Sequence, residues 1–562
     1  LALALLIVAP LLRPGYLLLR DAVSTPRSYF SDAALGLSDA APRATPQDFA
    51  VALASHVVDG GIVVKTLLIL ALWLAGWGAA RLAETVLPEA GLSGQFVAST
   101  VAVWNPYVGE RLLQGHWSLL VGYGCLPWIA TAMLALRSAE QPLWSGLGAP
   151  AFFVALAGLT PTGLLLAAAV AVTCVAAPGS ARPRWLCCTV ALAGALLAAL
   201  PWLTASAVGG WSGGDPEAQS RAVTAFAARA EPGLGTLGSL AGLGGVWNSQ
   251  AVPLSRTTAF AVVSTAVLCG VVMAGLPVVV RRAAARPLLV LAAAAVLLPA
   301  ALATAPGLAL LRGAVDAAPG LAVIRDSQKW VALAMPGYAL ASAGAVLMLR
   351  RFLPLTVTAL GCSAALIASS PDLAWGAGGR VCPVHYPGGW WAVSRLINDT
   401  PGTVAVLPAG ELRRFSWSGR APVLDPLPRW VRADVLTTGD LSVSGVTVAG
   451  EGTRARVIQR LLLGGADQAA LRDAGVAWVL VESGTPGETG DAGRTVSALP
   501  AVYHDPDLTL YQVGGHSSRE AVTGPRRVAV VAHLLWLAML ATGAVGMVSR
   551  LANRARRAIR SR

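Results

Sequence analysis

Two stretches of this chain gather ionisable side chains beside apolar runs. The first is Arg13 to Gly60, a polar segment carrying Asp21, Asp32, Asp39, Asp48 and Asp59 with Arg13, Arg20, Arg27 and Arg43. Arg20 and Asp21 follow directly on Leu17, Leu18 and Leu19, which sets them at headgroup depth, where a lipid-linked substrate would present a phosphate. A carboxylate there can accept the proton of an attacking hydroxyl as a phosphate departs. Arg20 and Arg27 flank it and could hold that phosphate by charge-assisted forks. The same Arg-Asp pair also reads as an interfacial anchor. Asp39, in GLSDAAPR, is a second candidate base, with helix capping by Ser38 and Asp39 as the competing reading. Asp32 and Asp48 fit caps better than catalysis.

The second stretch is WNPYVGERLLQGHW, read as a loop at 105–116 between two spans. Asn105, Tyr107, Glu110, Arg111 and His116 are dense enough there to recognise a sugar, the ring stacking on its apolar face and the polar groups bonding hydroxyls. An aromatic belt with a cap at Asn105 explains the same residues. His116 has no second ligand at metal-binding spacing. Downstream, IRDSQKW places Arg325, Asp326 and Lys329 within about one and a half helical turns, so Arg325 and Lys329 would present two cations to a lipid phosphate. Arg229, Glu231, Trp247 and Asn248 could form an acceptor-side wall. No Walker loop, GxSxG elbow, HExxH helix or CxxC pair occurs. No cofactor is called for; a divalent cation, Mg or Mn, could assist the phosphate, though no ligand cluster demands it.

Composition tells what must position these residues. At 55% hydrophobic and 13% charged over 562 residues, the chain is far more apolar than a soluble domain, which carries roughly 25% charge. The net charge of +13 gathers in short clusters beside apolar runs, where it reads as membrane topology and not as nucleic-acid binding. Six of the seven cysteines lie in apolar runs and Cys382 alone is in polar sequence, so no disulfide framework or zinc site is indicated.

Leu1 to Leu12 is apolar but short, and reads as the remainder of a first transmembrane helix whose start is missing. Spans are expected at Ile62 to Ala83, Gly94 to Trp104, Trp117 to Leu136, Trp185 to Val208, Thr257 to Val280, Pro287 to Thr304, Trp330 to Leu349, Leu353 to Ser370 and Val528 to Val548, with Ala149 to Ala177 broken into two short helices at Thr160 to Gly163. The basic clusters at Arg182 and Arg184, Arg281 to Arg286, Arg350 and Arg351, and the tail all fall on one side, taken as cytoplasmic. Residues 13–60, 105–116, 209–256 and 305–329 then lie outside as loops. So does 371–525, a composition shift into soluble sequence whose TVAVLP, VAWVLVE and LTLYQV read as strands and ARVIQRLLLG and DQAALRDAG as helices. The expected fold is a polytopic α-helical membrane protein of about 12 spans, short broken helices included. Residues 1–370 form its membrane region, 371–525 a small α/β extracytoplasmic domain, and 526–562 a last span with a basic cytoplasmic tail.

RPGYLLLRDAVSTPR, NPYVGERLLQGHWSLLVGYGCLPW and RDSQKW together resemble the membrane region of actinobacterial arabinofuranosyltransferase-like proteins, within the GT-C superfamily of polytopic glycosyltransferases, over roughly the first 370 residues. The resemblance implies a plasma-membrane enzyme that takes a sugar from a polyprenyl-phosphate donor and delivers it, with inversion, to a cell-wall glycan or glycolipid on the outer face. It implies Asp21 as the base and Arg325 and Lys329 as donor-phosphate contacts. Arabinofuranose is the favoured sugar and mannose the alternative. The chain is shorter than the large arabinofuranosyltransferases, with a small exterior domain where they carry extended carbohydrate-binding modules. The rival reading is a non-enzymatic lipid-glycan transporter or envelope assembly scaffold with a glycan-binding exterior domain. Against it, the sequence shows no repeated halves and few charges inside spans.

Overall fold

A computed structural model describes residues 1–39, 44–138, 143–208, 216–443, 446–448, 450–515 and 523–560. Long runs without charge form helices because nothing in them breaks the ladder, and six are long and apolar enough to cross a bilayer: Gly60–Val86, Trp117–Ser138, Arg184–Val208, Phe260–Val279, Ser327–Leu349 and Gly524–Arg550. Two bent pairs raise the number to eight if each is one span. This is a polytopic membrane protein. The larger number expected from sequence came from counting short apolar helices as crossings, namely Ala2–Leu12, Gly91–Val103, Gly146–Ala157 and Pro161–Val175.

Trp117–Ser138 and Ser327–Leu349 are enclosed by other helices, whereas Arg184–Val208 keeps most of its surface outward. Close helix contact relies on small residues: Gly275 and Gly344 face one another, and a Cβ on Gly275 would stand 1.8 Å from the Ala341 carbonyl oxygen.

Two expected loops are largely helical. Residues 105–116 contain the helix Pro106–Gln114, capped by Asn105, whose side chain accepts from the Val108 amide, and closed by Gly115 in the left-handed region at φ 84°. The Asn-Pro start and Gly stop are ordinary helix punctuation. In 305–329, Ala305–Ala317 turns back at 92° from Arg286–Leu302, and two 3-10 segments follow, Pro319–Ile324 and Ser327–Ala334. Arg325 and Asp326 fall at the break between these segments, so Arg325 and Lys329 do not share an α-helical face.

The region after residue 370 contains a four-stranded sheet in the order Thr403–Leu407, Val476–Glu482, Leu508–Gln512, Ala501–His504. The first pair is parallel and the others antiparallel. The three strands read from sequence are present; Ala501–His504, mostly exposed and with little alternation, was not anticipated. One face packs on Gly388–Asp399 through Trp390, Val393 and Ile397. The other packs on Thr453–Leu463 through Ile458 and Leu462.

Candidate active site

Asp21 stands at the tip of a hairpin. Leu18–Leu19 pairs antiparallel with Ala22–Val23, leaving Arg20 and Asp21 as the turn, and Arg20 takes φ 48°, a conformation most side chains avoid. The alternation of a strand splits the hairpin between two cores. Leu18 and Val23 enter the aromatic cluster of Tyr386, Trp390 and Trp430, while Leu19 and Ala22 pack on the helix bundle. The hairpin thus pins the α/β region to the membrane region, and its tip rests on Gly115. A Cβ at Gly115 would lie 2.3 Å from the Leu19 carbonyl oxygen and 2.4 Å from the Ala22 nitrogen. The Asp21 amide donates to the Gln114 carbonyl at 3.3 Å.

A polar chain runs inward from the tip. Arg111 Nη1 donates to His116 Nδ1 at 3.2 Å, and because a guanidinium only donates, that nitrogen must carry the lone pair. His116 is therefore the Nε2–H tautomer, donating to Asp21 Oδ2 at 2.9 Å. Gln114 Nε2 donates to the same oxygen at 3.1 Å. Among the described residues nothing donates to Oδ1. Behind His116, Arg111 grips Asp326 with two bonds of 3.0 and 3.2 Å and also donates to Gln328. Lys329 Nζ lies 3.6 Å from Asp326 Oδ2.

The chain grades from buried to open: the Arg111 side chain is fully buried, His116 and Lys329 are 16% and 24% exposed, and the Asp21 side chain is 40% exposed. The Asp21 side chain is thus ringed by protein yet partly open to solvent. Burial pushes its acid up, but His116, Gln114 and Lys329 together hold it below the ordinary carboxylate range. Burial, with the charges of Lys329 and Arg111, holds the His116 imidazole below its usual value against the pull of Asp21, in keeping with the neutral tautomer.

The structure brings several of the sequence candidates together and disperses others. Tyr107 donates from its hydroxyl to the Lys329 carbonyl at 3.1 Å and stacks on Tyr123. Glu110 is wholly buried, accepting from the Gly245 and Val246 amides at 3.1 and 3.0 Å and from Gln328. Asn105 caps its helix and bonds the Tyr123 hydroxyl. These three brace the site from behind. Arg20 points both terminal nitrogens at backbone carbonyls, Leu113 and Gln250, and burial beside Arg380 pushes its guanidinium down to about 10. Arg27 lies over the Tyr29 ring and Arg325 over Phe226, which in turn meets Trp247 edge-on at 4.7 Å. Asp39 accepts from the Ala455 amide at 3.1 Å, capping Thr453–Leu463 in the α/β region. Asn248 does reach the site, donating to Gln114 Oε1 at 2.8 Å.

Sequence reading assigned no role to Gln114, Asp326, Gln328 or Arg380. Gln114 and His116 straddle the Gly115 stop, which is the one local signal that both could meet the same partner. Among the described residues no group of three His, Cys, Asp or Glu could hold a metal ion, and both Asp326 oxygens are engaged by Arg111.

No protein-family model and no curated protein matches the chain. Among solved structures, the fold is similar to the cryo-EM structure of arabinofuranosyltransferase AftD from mycobacteria, with a TM-score of 0.60 at 18% identity over 92% of this chain. A mutant of that protein gives 0.52 at 15% identity over the same share. This chain spans 40% and 41% of the lengths of those chains, and the likeness is one of fold.

Proposed function

We propose that this protein is a membrane glycosyltransferase of the GT-C type, moving a sugar from a polyprenyl-phosphate donor to a cell-wall glycan or glycolipid on the outer face of an actinobacterial plasma membrane. Arabinofuranose is the sugar favoured by the likeness to AftD, with mannose as the alternative. The hairpin, the α/β region at 371–525 and the loops around Asp21 are then extracytoplasmic, and the basic C-terminal tail cytoplasmic.

The observation that carries the reading is the Asp21 carboxylate, its side chain 40% exposed, with Oδ2 held by His116 and Gln114 and with no donor to Oδ1 among the described residues. Oδ1 takes the proton of the acceptor hydroxyl as its oxygen attacks the anomeric carbon. The bond from that carbon to the donor phosphate oxygen breaks, the electron pair leaves with the phosphate, and attack from the opposite face inverts the centre. Lys329, partly exposed beside Asp326, supplies positive charge to the departing phosphate. Arg325 is a further source of positive charge in this reading, whereas both terminal nitrogens of Arg20 are already held by backbone carbonyls.

The test is transfer of radiolabelled sugar from polyprenyl-phosphate arabinose or mannose to a synthetic oligosaccharide by purified protein, with Asp21→Asn alongside. Asp21→Asn is expected to lower turnover by about 10²- to 10⁴-fold while donor binding survives. Binding of donor without transfer in the wild type would favour a transporter or scaffold.

A further inference from the structure

A cavity that includes none of Asp21, Gln114, His116 or Lys329 lies where the 13–60 segment, the α/β region and the start of the last helix meet. Its volume is about 360 Å³, within the range of small-molecule sites. His56 lies four residues before the span Gly60–Val86, and Arg526 lies in the first turn of Gly524–Arg550. Val57 beside it is 88% exposed. The cavity therefore opens at the boundary where apolar helices meet polar sequence.

Its charges balance. Arg526 pairs with Asp32 and donates to the Phe30 carbonyl, and Asp434 lies 3.3 Å from Arg454. Among the described residues the lining cations, Arg432 and Arg526, equal the lining carboxylates, Asp32 and Asp434. A phosphate here would face two carboxylates, whereas a neutral polyol gains from both kinds of group, hydroxyls donating to Asp and accepting from Arg. The aromatic side is also suited to a sugar. Phe30, 36% exposed, stacks on the His56 ring at 5.0 Å, and Arg432 lies over Tyr29 at 5.0 Å. His56 Nδ1 is 2.7 Å from the Ala52 carbonyl and so must be its donor, which in the neutral ring leaves Nε2 to accept from a hydroxyl.

We infer that this cavity is a glycan subsite, holding a sugar unit of a neutral polyhydroxylated chain away from the transfer centre. It rests on the glycosyltransferase reading only in taking that chain to be the acceptor; binding is read without turnover, so failure of one leaves the other standing.

The test is saturation-transfer NMR on the full-length protein in nanodiscs, using a linear arabinofuranose oligosaccharide, a mannose oligosaccharide, and the same sugars on a glycolipid in the disc. At least one sugar is expected to bind, with affinity reduced about tenfold by Arg432→Ala and by Phe30→Ala, and unchanged by Arg494→Ala, an exposed arginine outside the cavity. Binding of the glycolipid alone would identify a lipid headgroup as the source, and binding of the soluble sugar a free glycan. Arg432 is exposed, so its loss leaves the fold intact even if Phe30→Ala does not. No binding of any probe, displacement by inorganic phosphate, or equal loss in Arg494→Ala would overturn the subsite.

Discussion

Asp21 and His116 meet through one bond, Nε2–H to Oδ2 at 2.9 Å, and the direction of that bond is set from behind by Arg111, which can only donate. His116 therefore cannot relay a proton inward. Its part is to steady one oxygen of the Asp21 carboxylate, and in the proposed reaction the other faces the acceptor hydroxyl.

Removing that donor should weaken Asp21 as an anion and strengthen it as an acid. Asp21 titrates below the ordinary carboxylate range in the folded protein, so the charged form is present above that range and lost only as pH falls below it. In His116→Phe the acid limb of the pH-rate profile should move to higher pH, with turnover at alkaline pH largely kept. An unmoved acid limb would detach His116 from the titrating group.

Gly115→Ala should inactivate without unfolding. The added methyl meets the Leu19 carbonyl and the Ala22 amide, both part of the hairpin that presents Asp21. Displacement of a reacting group by about 1 Å costs on the order of 10²-fold in rate. Transfer rate and melting temperature measured together would check this; full activity would mean that the hairpin yields freely.

Arg111→Met should cost about 3–5 kcal/mol of stability, since it leaves the buried Asp326 carboxylate with only the partly exposed Lys329 at 3.6 Å as a cationic partner. Asp326→Leu added to it should restore part of that loss, because the double variant removes both members of the most buried pair. Denaturant unfolding of single and double variants gives the coupling; strict additivity would argue against the pair.

The α/β region contains a second buried group with a pH signature. Arg413 lies between Glu482 and Asp425, and burial, then the neighbouring Asp425, pushes the Glu482 acid up to about 8 from an ordinary 4.5. Its folded value lies above its unfolded one, so its contribution is full below about pH 4.5 and lost as pH rises through about 8. Melting temperature should fall across that window in the wild type and fall less in Glu482→Gln. Equal slopes would remove Glu482 as the cause.

Much of the architecture was legible along the chain because its signals are local. Uninterrupted apolar runs mark the long helices, Thr160 to Gly163 marks the break between two short ones, and the β-branched runs at Thr403, Val476 and Leu508 mark three strands of the sheet. Asp21 could be singled out for the same reason: a carboxylate directly after an apolar run is visible to its neighbours in sequence. What surrounds it was not. Asp21 and His116 are 95 positions apart and Arg111 and Asp326 are 215 apart, so only packing brings them together. Arg325 and Lys329 looked like one face because α-helical spacing was assumed, and the 3-10 break at Asp326 separates them. Asp39 could be read as a base or as a local cap, and its amide partner, Ala455, belongs to a helix far along the chain that short-range sequence does not reveal. Residue type and short-range spacing determine which groups can do chemistry and which segments enter the membrane. Whether a carboxylate ends as a cap, a buried brace or an open base depends on long-range partners and solvent access, and those exist only once the hairpin, the bundle and the sheet have packed.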